Sequence, residues 1–181
     1  DNAEIHAFLQ NREHGGKNLR AYRHFTDRKT LYGAPVRYQW GGSAFCKREG
    51  NNILYIYKIE AKVGTIRMVS HVGMVHPMYC SGVGKAIMAT LPEKEVKQIW
   101  NESIIEKKTD KTITDIDEMM QVLEEVRKNG YALDDEENEE GVRCIAACLH
   151  GYSKEVKYAF SISGHRARSE ERFSRNAETD L

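Results

Sequence analysis

The chain has 181 residues, of which 27 are basic and 27 are acidic, so its formal net charge at pH 7 is zero. This balance gives no indication of a nucleic acid or an anionic membrane as a partner. A hydrophobic content of 40% is sufficient for the core of one domain, and the four cysteines are too few for a disulfide framework in a chain of this length. No apolar run is long enough to cross a bilayer and no signal peptide precedes the domain, so we expect a cytoplasmic protein with reduced thiols.

Residues 1–44 show no sustained hydrophobic period and are rich in Arg, Lys and His. Glu13 and Asp27 interrupt the positive charges, which favours a solvated extension over a nucleic-acid-binding arm. The segment can also be the start of the domain. We therefore divide the chain into residues 1–44 and a domain over residues 45–181.

A β-rich run covers residues 53–59, after the turn Gly50-Asn51-Asn52. Residues 65–70 are its predicted hairpin partner. Tyr55 and Tyr57 fall two residues apart in this strand, and we interpret them as packing residues.

The segment HPMYCSGVGKAIMA, residues 76–89, predicts a tight loop that leads into a short apolar helix. Ser81 is the predicted N-cap, and Gly82 and Gly84 allow a close approach of the backbone. The start of a helix presents N–H groups and the positive end of the helix dipole, which favour a carboxylate or phosphate. The segment lacks the spacing of a nucleotide phosphate loop. The alternative is a capped helix whose glycines serve only packing.

Two further helices are predicted. One begins at Pro92 and has an apolar face formed by Val96, Ile99 and Trp100. The other covers about residues 114–129, with Thr114 as its capping residue and Gly130 in a left-handed cap. Its apolar stripe consists of Ile116, Met119, Met120, Leu123 and Val126.

Residues 130–164 predict two strands beside an acidic turn. Strand alternation places Ser161 and Ser163 on one face, roughly 6.6 Å apart, so that both hydroxyls can reach one bound anion. In the preceding strand, alternation puts Cys144 on one face together with Val142, Ala146 and Cys148. For residues 134–140 as a group we expect a solvated turn. The alternative for the strands is a sheet that merely has one polar face.

In this order, HPMYCSGVGKAIMA, GYALDDEENEEGVRCIA and FSISG followed by SEERF resemble the effector-binding domain of the IclR family of bacterial transcriptional regulators. The resemblance extends over roughly residues 45–173. It implies an α/β (α+β) fold of the GAF/PAS-like type, in which a curved antiparallel sheet is flanked by helices and a ligand is held between the sheet and its loops.

The resemblance also implies a set of effector-binding residues. These are Met68, Gly82, Val83, Asp134, Cys144, Ser161 and Ser163. A carboxylate ligand would accept hydrogen bonds from the two serine hydroxyls and from N–H groups at the helix start. Asp134 would repel that carboxylate if it were ionised, so we expect it to accept a hydrogen bond from a ligand hydroxyl or hydrated aldehyde, or to hold a neighbouring backbone N–H.

The function implied by the resemblance is ligand sensing, without catalysis, metal or cofactor. The expected effector is a small carboxylate, either a 2-oxo acid or a sugar-derived acid. DNA would be contacted only through a winged-helix domain that this sequence does not contain, and the expected assembly is a homodimer or homotetramer.

Two alternatives come from other functional classes. A GAF-like thiol-dependent reductase would use Cys80, Cys144 or Cys148 as its nucleophile. A metal site would combine His71, His76 and Cys80, although histidines five residues apart do not chelate a metal from one helix or strand.

Overall fold

The computed structural model describes residues 42–59, 69–150 and 156–165. These residues form six strands and three helices. The strands are β1 (Ser43–Glu49), β2 (Asn52–Ile59), β3 (Val75–Pro77), β4 (Ala132–Asp135), β5 (Val142–Leu149) and β6 (Tyr158–His165). The helices are α1 (Gly82–Met88), α2 (Glu93–Glu102) and α3 (Ile116–Asn129).

The six strands form one sheet in the order β3-β2-β1-β6-β5-β4, and neighbouring strands run antiparallel. The last described strand, β6, therefore lies beside the first described strand, β1, and has β5 on its other side. This strand order places Ser161 and Ser163 of β6 in the middle of the sheet. The predicted antiparallel sheet flanked by helices is confirmed.

The inner face of the sheet carries small side chains, and α1 packs directly on it. Ala132, Ala146 and Ala159 on this face are fully buried, as is Cys46. Every residue of α1 is buried. A Cβ atom on Gly84 would lie 2.1 Å from the carbonyl oxygen of Met78, so only glycine allows this approach of the loop to the helix. The close backbone approach predicted at Gly84 is confirmed.

Capping residues define the helix ends. Ser81 is the N-cap of α1, and its Oγ accepts the N–H of Gly84 at 3.1 Å. Pro92 precedes α2 as expected, and Gly130 ends α3 with φ of 80°. The cap predicted at Thr114 is wrong, because Asp115 is the N-cap of α3 and its side chain accepts the N–H of Glu118 at 2.9 Å.

A β-bulge in β2 changes which of its side chains face inward. Tyr55 pairs with Cys46 and Tyr57 pairs with Phe45, so Ile56 is an extra residue between two consecutive pairs. Tyr55 is consequently buried with 9% of its surface exposed, whereas Tyr57 is 57% exposed on the other face. The two tyrosines therefore do not share the packing role that the sequence suggested.

Several predictions concern residues outside the described ranges. They include residues 1–41 and most of the hairpin partner predicted over 65–70. The described antiparallel partner of β2 on that side is β3, which is only three residues long. No helix in the described ranges is long and apolar enough to span a bilayer.

Candidate functional site

A cavity of about 40 Å³ lies between the start of α1 and the inner face of the sheet. Six of the seven predicted site residues line it, namely Gly82, Val83, Asp134, Cys144, Ser161 and Ser163. The seventh, Met68, lies outside the described residues. The structure thus brings together residues that are up to 81 positions apart in the sequence, and their role toward a ligand remains a prediction.

The register of the central strands places both serines on the cavity wall. Ser161 pairs with Ala44 of β1 and with Ala146 of β5, and Ser163 pairs with Cys144. The two serines are 5% and 7% exposed. Cys144 Sγ donates a hydrogen bond to Ser163 Oγ at 3.0 Å, which leaves the Ser163 hydroxyl proton available for a ligand.

The opposite wall is the first turn of α1, which lies close to the sheet because position 82 has no side chain. A Cβ atom on Gly82 would lie 3.3 Å from that of Ala146 and 3.6 Å from that of Asp134. Ser81 accepts the N–H groups of Gly84 and Lys85 through its Oγ and its carbonyl oxygen. The N–H groups of Gly82 and Val83 precede these two and belong to the helix end, where no intrahelical acceptor exists.

Asp134 is buried at the end of the cavity nearest β4. Its Oδ1 accepts the N–H of Glu137 at 2.9 Å, so of the two roles expected for Asp134 the structure contains the backbone contact. Burial, assisted by the nearby Glu137 carboxylate, raises the pKa of Asp134 to about 7. A large fraction of Asp134 is therefore neutral at physiological pH, which lessens its repulsion of a bound acid.

The acidic turn is partly buried, contrary to the expectation that residues 134–140 as a group are solvated, although Glu140 is exposed. Glu136 and Glu137 are 8% and 7% exposed. Glu137 Oε1 pairs with the ammonium of Lys85, which is 1% exposed and belongs to α1. This buried ion pair links the turn to the helix. The sequence around the turn did not predict it, because Lys85 lies 52 residues away from Glu137 in the chain.

Several lining residues were not predicted. They are Tyr55 and Lys58 of β2, Ser70, the N-cap Ser81, and Asn138 and Glu139 of the acidic turn, together with residues 42–44 and 142. Lys58 Nζ donates to Ser70 Oγ at 3.1 Å and also to its carbonyl oxygen. Simple alternation would have turned Lys58 away from the face that carries Tyr55, so the sequence contained no signal for it.

The cysteines lack the properties of nucleophiles. Burial raises the pKa of each of Cys46, Cys80, Cys144 and Cys148 to about 12. His76 Nε2 does lie 3.4 Å from Cys80 Sγ, but burial lowers the pKa of His76 to about 4, so the pair is neutral at pH 7. A thiolate, which is the reactive form, is disfavoured. The reductase alternative finds no support.

The metal alternative likewise finds no support in the part of the chain that the structure describes. Within it, no group of three or more His, Cys, Asp or Glu side chains could hold a metal ion. His76 and Cys80 contact each other, but the predicted third ligand, His71, contacts the carbonyl oxygen of Val72 instead.

Comparison with known proteins places this arrangement in a family. The family model described as bacterial transcriptional regulator IclR C-terminal matches residues 43–179. The chain belongs to the IclR family. The resemblance inferred from the sequence motifs is thereby confirmed, and the matched residues include β1 to β6 and all the described cavity-lining residues except Gly42.

Curated relatives include the DNA-binding transcriptional repressor YiaJ of Escherichia coli K12, which is 39% identical over 121 residues. The HTH-type transcriptional regulator KdgR of the same strain is 39% identical over 123 residues. These alignments cover 66% and 67% of this chain but only 43% and 46% of the relatives, so the chain spans less than half of their length. The crystal structure of transcriptional regulator YaiJ aligns with a TM-score of 0.68 at 32% identity, covering 86% of this chain and 83% of that one.

Proposed function

We propose that this domain senses a small carboxylate effector, a 2-oxo acid or a sugar-derived acid, and thereby controls DNA binding by a winged-helix domain attached to it. The proposal rests on one observation. Donors from two separate elements, the β6 serines and the first turn of α1, converge on one cavity. A carboxylate offers two acceptor oxygens, which can be shared between these two sets of donors.

The serine hydroxyls and the N–H groups at the start of α1 suit an anion although they are neutral. Hydrogen bonds to a charged acceptor contribute about 1.5–3 kcal/mol each, roughly twice the contribution of neutral pairs. Ser161 and Ser163 are buried, so these bonds would form in a region that excludes water. Because its pKa is raised, Asp134 is partly protonated, and the protonated carboxyl group can donate a hydrogen bond to an oxo or hydroxyl oxygen of the ligand.

The cavity volume favours the small end of the effector range. A single water needs about 10–15 Å³ by this measure, so 40 Å³ holds only a few heavy atoms. Among the proposed effectors, a two- or three-carbon 2-oxo acid such as glyoxylate or pyruvate comes nearest to this volume. A sugar-derived acid requires the cavity to open further.

The regulatory part of the proposal follows from the names of the relatives, a transcriptional repressor and an HTH-type regulator. Effector binding changes DNA affinity only if the effector binds the DNA-competent and DNA-incompetent states with different free energies. We place this coupling in a homodimer or homotetramer working in the cytoplasm. It requires neither a metal nor a cofactor.

A thermal-shift screen tests the proposal. The panel contains glyoxylate, pyruvate and gluconate as acids, with glycerol and acetamide as uncharged controls. Since a ligand that binds only the folded state must stabilise it, at least one acid should raise the melting temperature in a saturable manner. If the acids have no more effect than the uncharged controls, the proposal is wrong. Turnover of methionine sulfoxide would favour the reductase instead.

A further inference from the structure

Lys58 reaches the cavity only because of the bulge in β2. Its pairing partner in β1 is Ala44, and Ala44 pairs on its other side with Ser161. Directly paired residues of neighbouring strands project from the same face of a sheet, so Lys58 projects from the face that carries Ser161. Without the extra residue Ile56, the alternation from Tyr55 would have turned Lys58 to the opposite face. Bulges commonly redirect a side chain next to a functional site.

The ammonium group of Lys58 also occupies a defined position. It donates hydrogen bonds to the carbonyl oxygen and the hydroxyl of Ser70, and the side chain of Tyr55 lies near Ser70. All three residues line the cavity. Lys58 and Ser161 are two strand spacings apart, roughly 9.6 Å between backbones, so the flexible lysine stem and the serine approach a ligand from two sides.

The charges around the cavity require such a cation if the ligand is an acid. Among the described lining residues, Asp134 and Glu139 are acidic and Lys58 is the one basic residue. Lys85, the other nearby lysine, is paired with Glu137. Without Lys58, Glu139 and the ionised fraction of Asp134 would leave the cavity wall with a negative charge, which repels a carboxylate.

We propose that Lys58 is the specificity-determining residue that makes this site prefer anions over uncharged ligands. The proposal rests on the proposed function, since it concerns the same effector. The serines and α1 orient the acid group, and Lys58 supplies the opposite charge. When the ligand binds, it replaces Ser70 as a partner of the lysine ammonium.

The test compares Lys58→Met with wild type in calorimetric titrations of glyoxylate and pyruvate, at low and at high KCl. Methionine retains an unbranched stem and removes the charge. Its affinity for both acids should fall by roughly tenfold or more. Wild-type affinity should fall as KCl rises, because the lysine is partly exposed and salt screens it. In Lys58→Met this dependence should disappear or reverse, since the remaining wall charges are acidic.

Two variants serve as controls. Lys47→Met removes an equivalent charge from the outer face of the neighbouring strand, where Lys47 pairs with Leu54, and it should bind like wild type. Lys58→Arg retains the charge and should keep both the salt dependence and most of the affinity.

The outcomes separate the two proposals. If wild type binds the acids and Lys58→Met binds them equally well with the same salt dependence, Lys58 has no such role although the effector site stands. If wild type binds neither acid, both proposals fail. Should Lys58→Met not fold, the wild-type titration alone decides, since a salt-independent affinity would overturn the role of Lys58.

Discussion

Ser161 and Ser163 occupy consecutive inward-facing positions of β6, because side chains alternate between the two faces of a strand. Both hydroxyl groups therefore belong to the wall of one cavity. Their neighbours across the sheet are small or able to donate: Ala44 and Ala146 flank Ser161, and Cys144 donates to Ser163. The thiol therefore satisfies one lone pair of Ser163 without taking its proton. This leaves a hydroxyl that is oriented before any ligand arrives.

Replacing both serines by alanine should abolish acid binding and leave the fold intact. Each lost hydrogen bond to the ligand anion costs about 1.5–3 kcal/mol, so the double variant Ser161→Ala, Ser163→Ala should lose more than a hundredfold in affinity. Calorimetry with glyoxylate and pyruvate measures this. Ser103→Ala is the matched control, since Ser103 bonds to Ile99 at the end of α2, outside the cavity. Unchanged affinity in the double variant would remove the serines from the site.

Asp134 should make stability depend on pH. Its folded-state pKa of about 7 lies above its ordinary value of 3.8, so folding stabilises the protonated form. Stability from this group is therefore fully present below pH 3.8 and is lost as the pH rises through 7, by a few kcal/mol. Asp134→Asn keeps an oxygen for the Glu137 N–H and should be more stable than wild type at pH 8 but not at pH 4.

Urea unfolding of both proteins across this pH range checks the prediction. His76, whose pKa burial lowers to about 4, gives the opposite slope between pH 6.5 and 4 in both proteins. The informative quantity is therefore the difference between wild type and Asp134→Asn at each pH. A difference that does not change with pH would show that Asp134 is ionised throughout.

Helix α1 and the acidic turn show which features of an element can be predicted from the sequence and which cannot. The N-cap at Ser81, the close approach at Gly84 and the strand over 142–149 could all be predicted, because each depends on residues near in sequence. The burial of Glu137 could not, since its partner Lys85 is 52 residues away.

The pairing between strands was the second feature that could not be predicted from the sequence. The three-residue strand β3 is too short to produce a recognisable period, and the β2 bulge that exposes Tyr57 and turns Lys58 inward depends on the register with β1. Of the cavity wall, the sequence motifs therefore yielded positions in α1, β4, β5 and β6, whereas the contributions of β2 and Ser70 required the structure.

The ion pair between α1 and the turn should be sensitive to the loss of one partner. Lys85→Met leaves the Glu137 carboxylate buried, and its Oε2 already accepts no hydrogen bond from the described part of the chain. Removing one partner of a buried pair costs about 3–5 kcal/mol. The double variant Lys85→Met, Glu137→Leu should recover most of this loss, because it leaves no unpaired charge. Chemical denaturation of the two variants measures the difference, and equal destabilisation by both would mean that the charges do not interact.

For the whole molecule, the two faces of the sheet differ in what covers them. The inner face packs on α1, whereas the outer face exposes large apolar side chains, including Tyr57 at 57% and Ile59 at 53%, which are neighbours on that face of β2. Exposed apolar residues that lie together are candidates for contact with another subunit. Membership in the IclR family led us to propose the homodimer or homotetramer.

Light scattering coupled to size-exclusion chromatography should therefore give a mass of two or four times 20.8 kDa. A monomer at micromolar concentration would contradict the proposed assembly and leave the effector site unaffected. Tyr57→Ser should weaken assembly, because it removes an exposed apolar side chain from this face.

Position 82 has no side chain and position 44 has only a methyl group, yet both border the cavity. The depth available to an effector is therefore set partly by positions whose side chains make no polar contact with it. Enlarging the side chain at position 44 should shorten the carbon chain that the cavity accepts, while the serines and Lys58 remain to bind the acid group. The chemical class of the effector and its length would thus depend on different positions. A single apolar substitution in a domain of this fold could therefore change which acid is bound while the preference for an acid is kept.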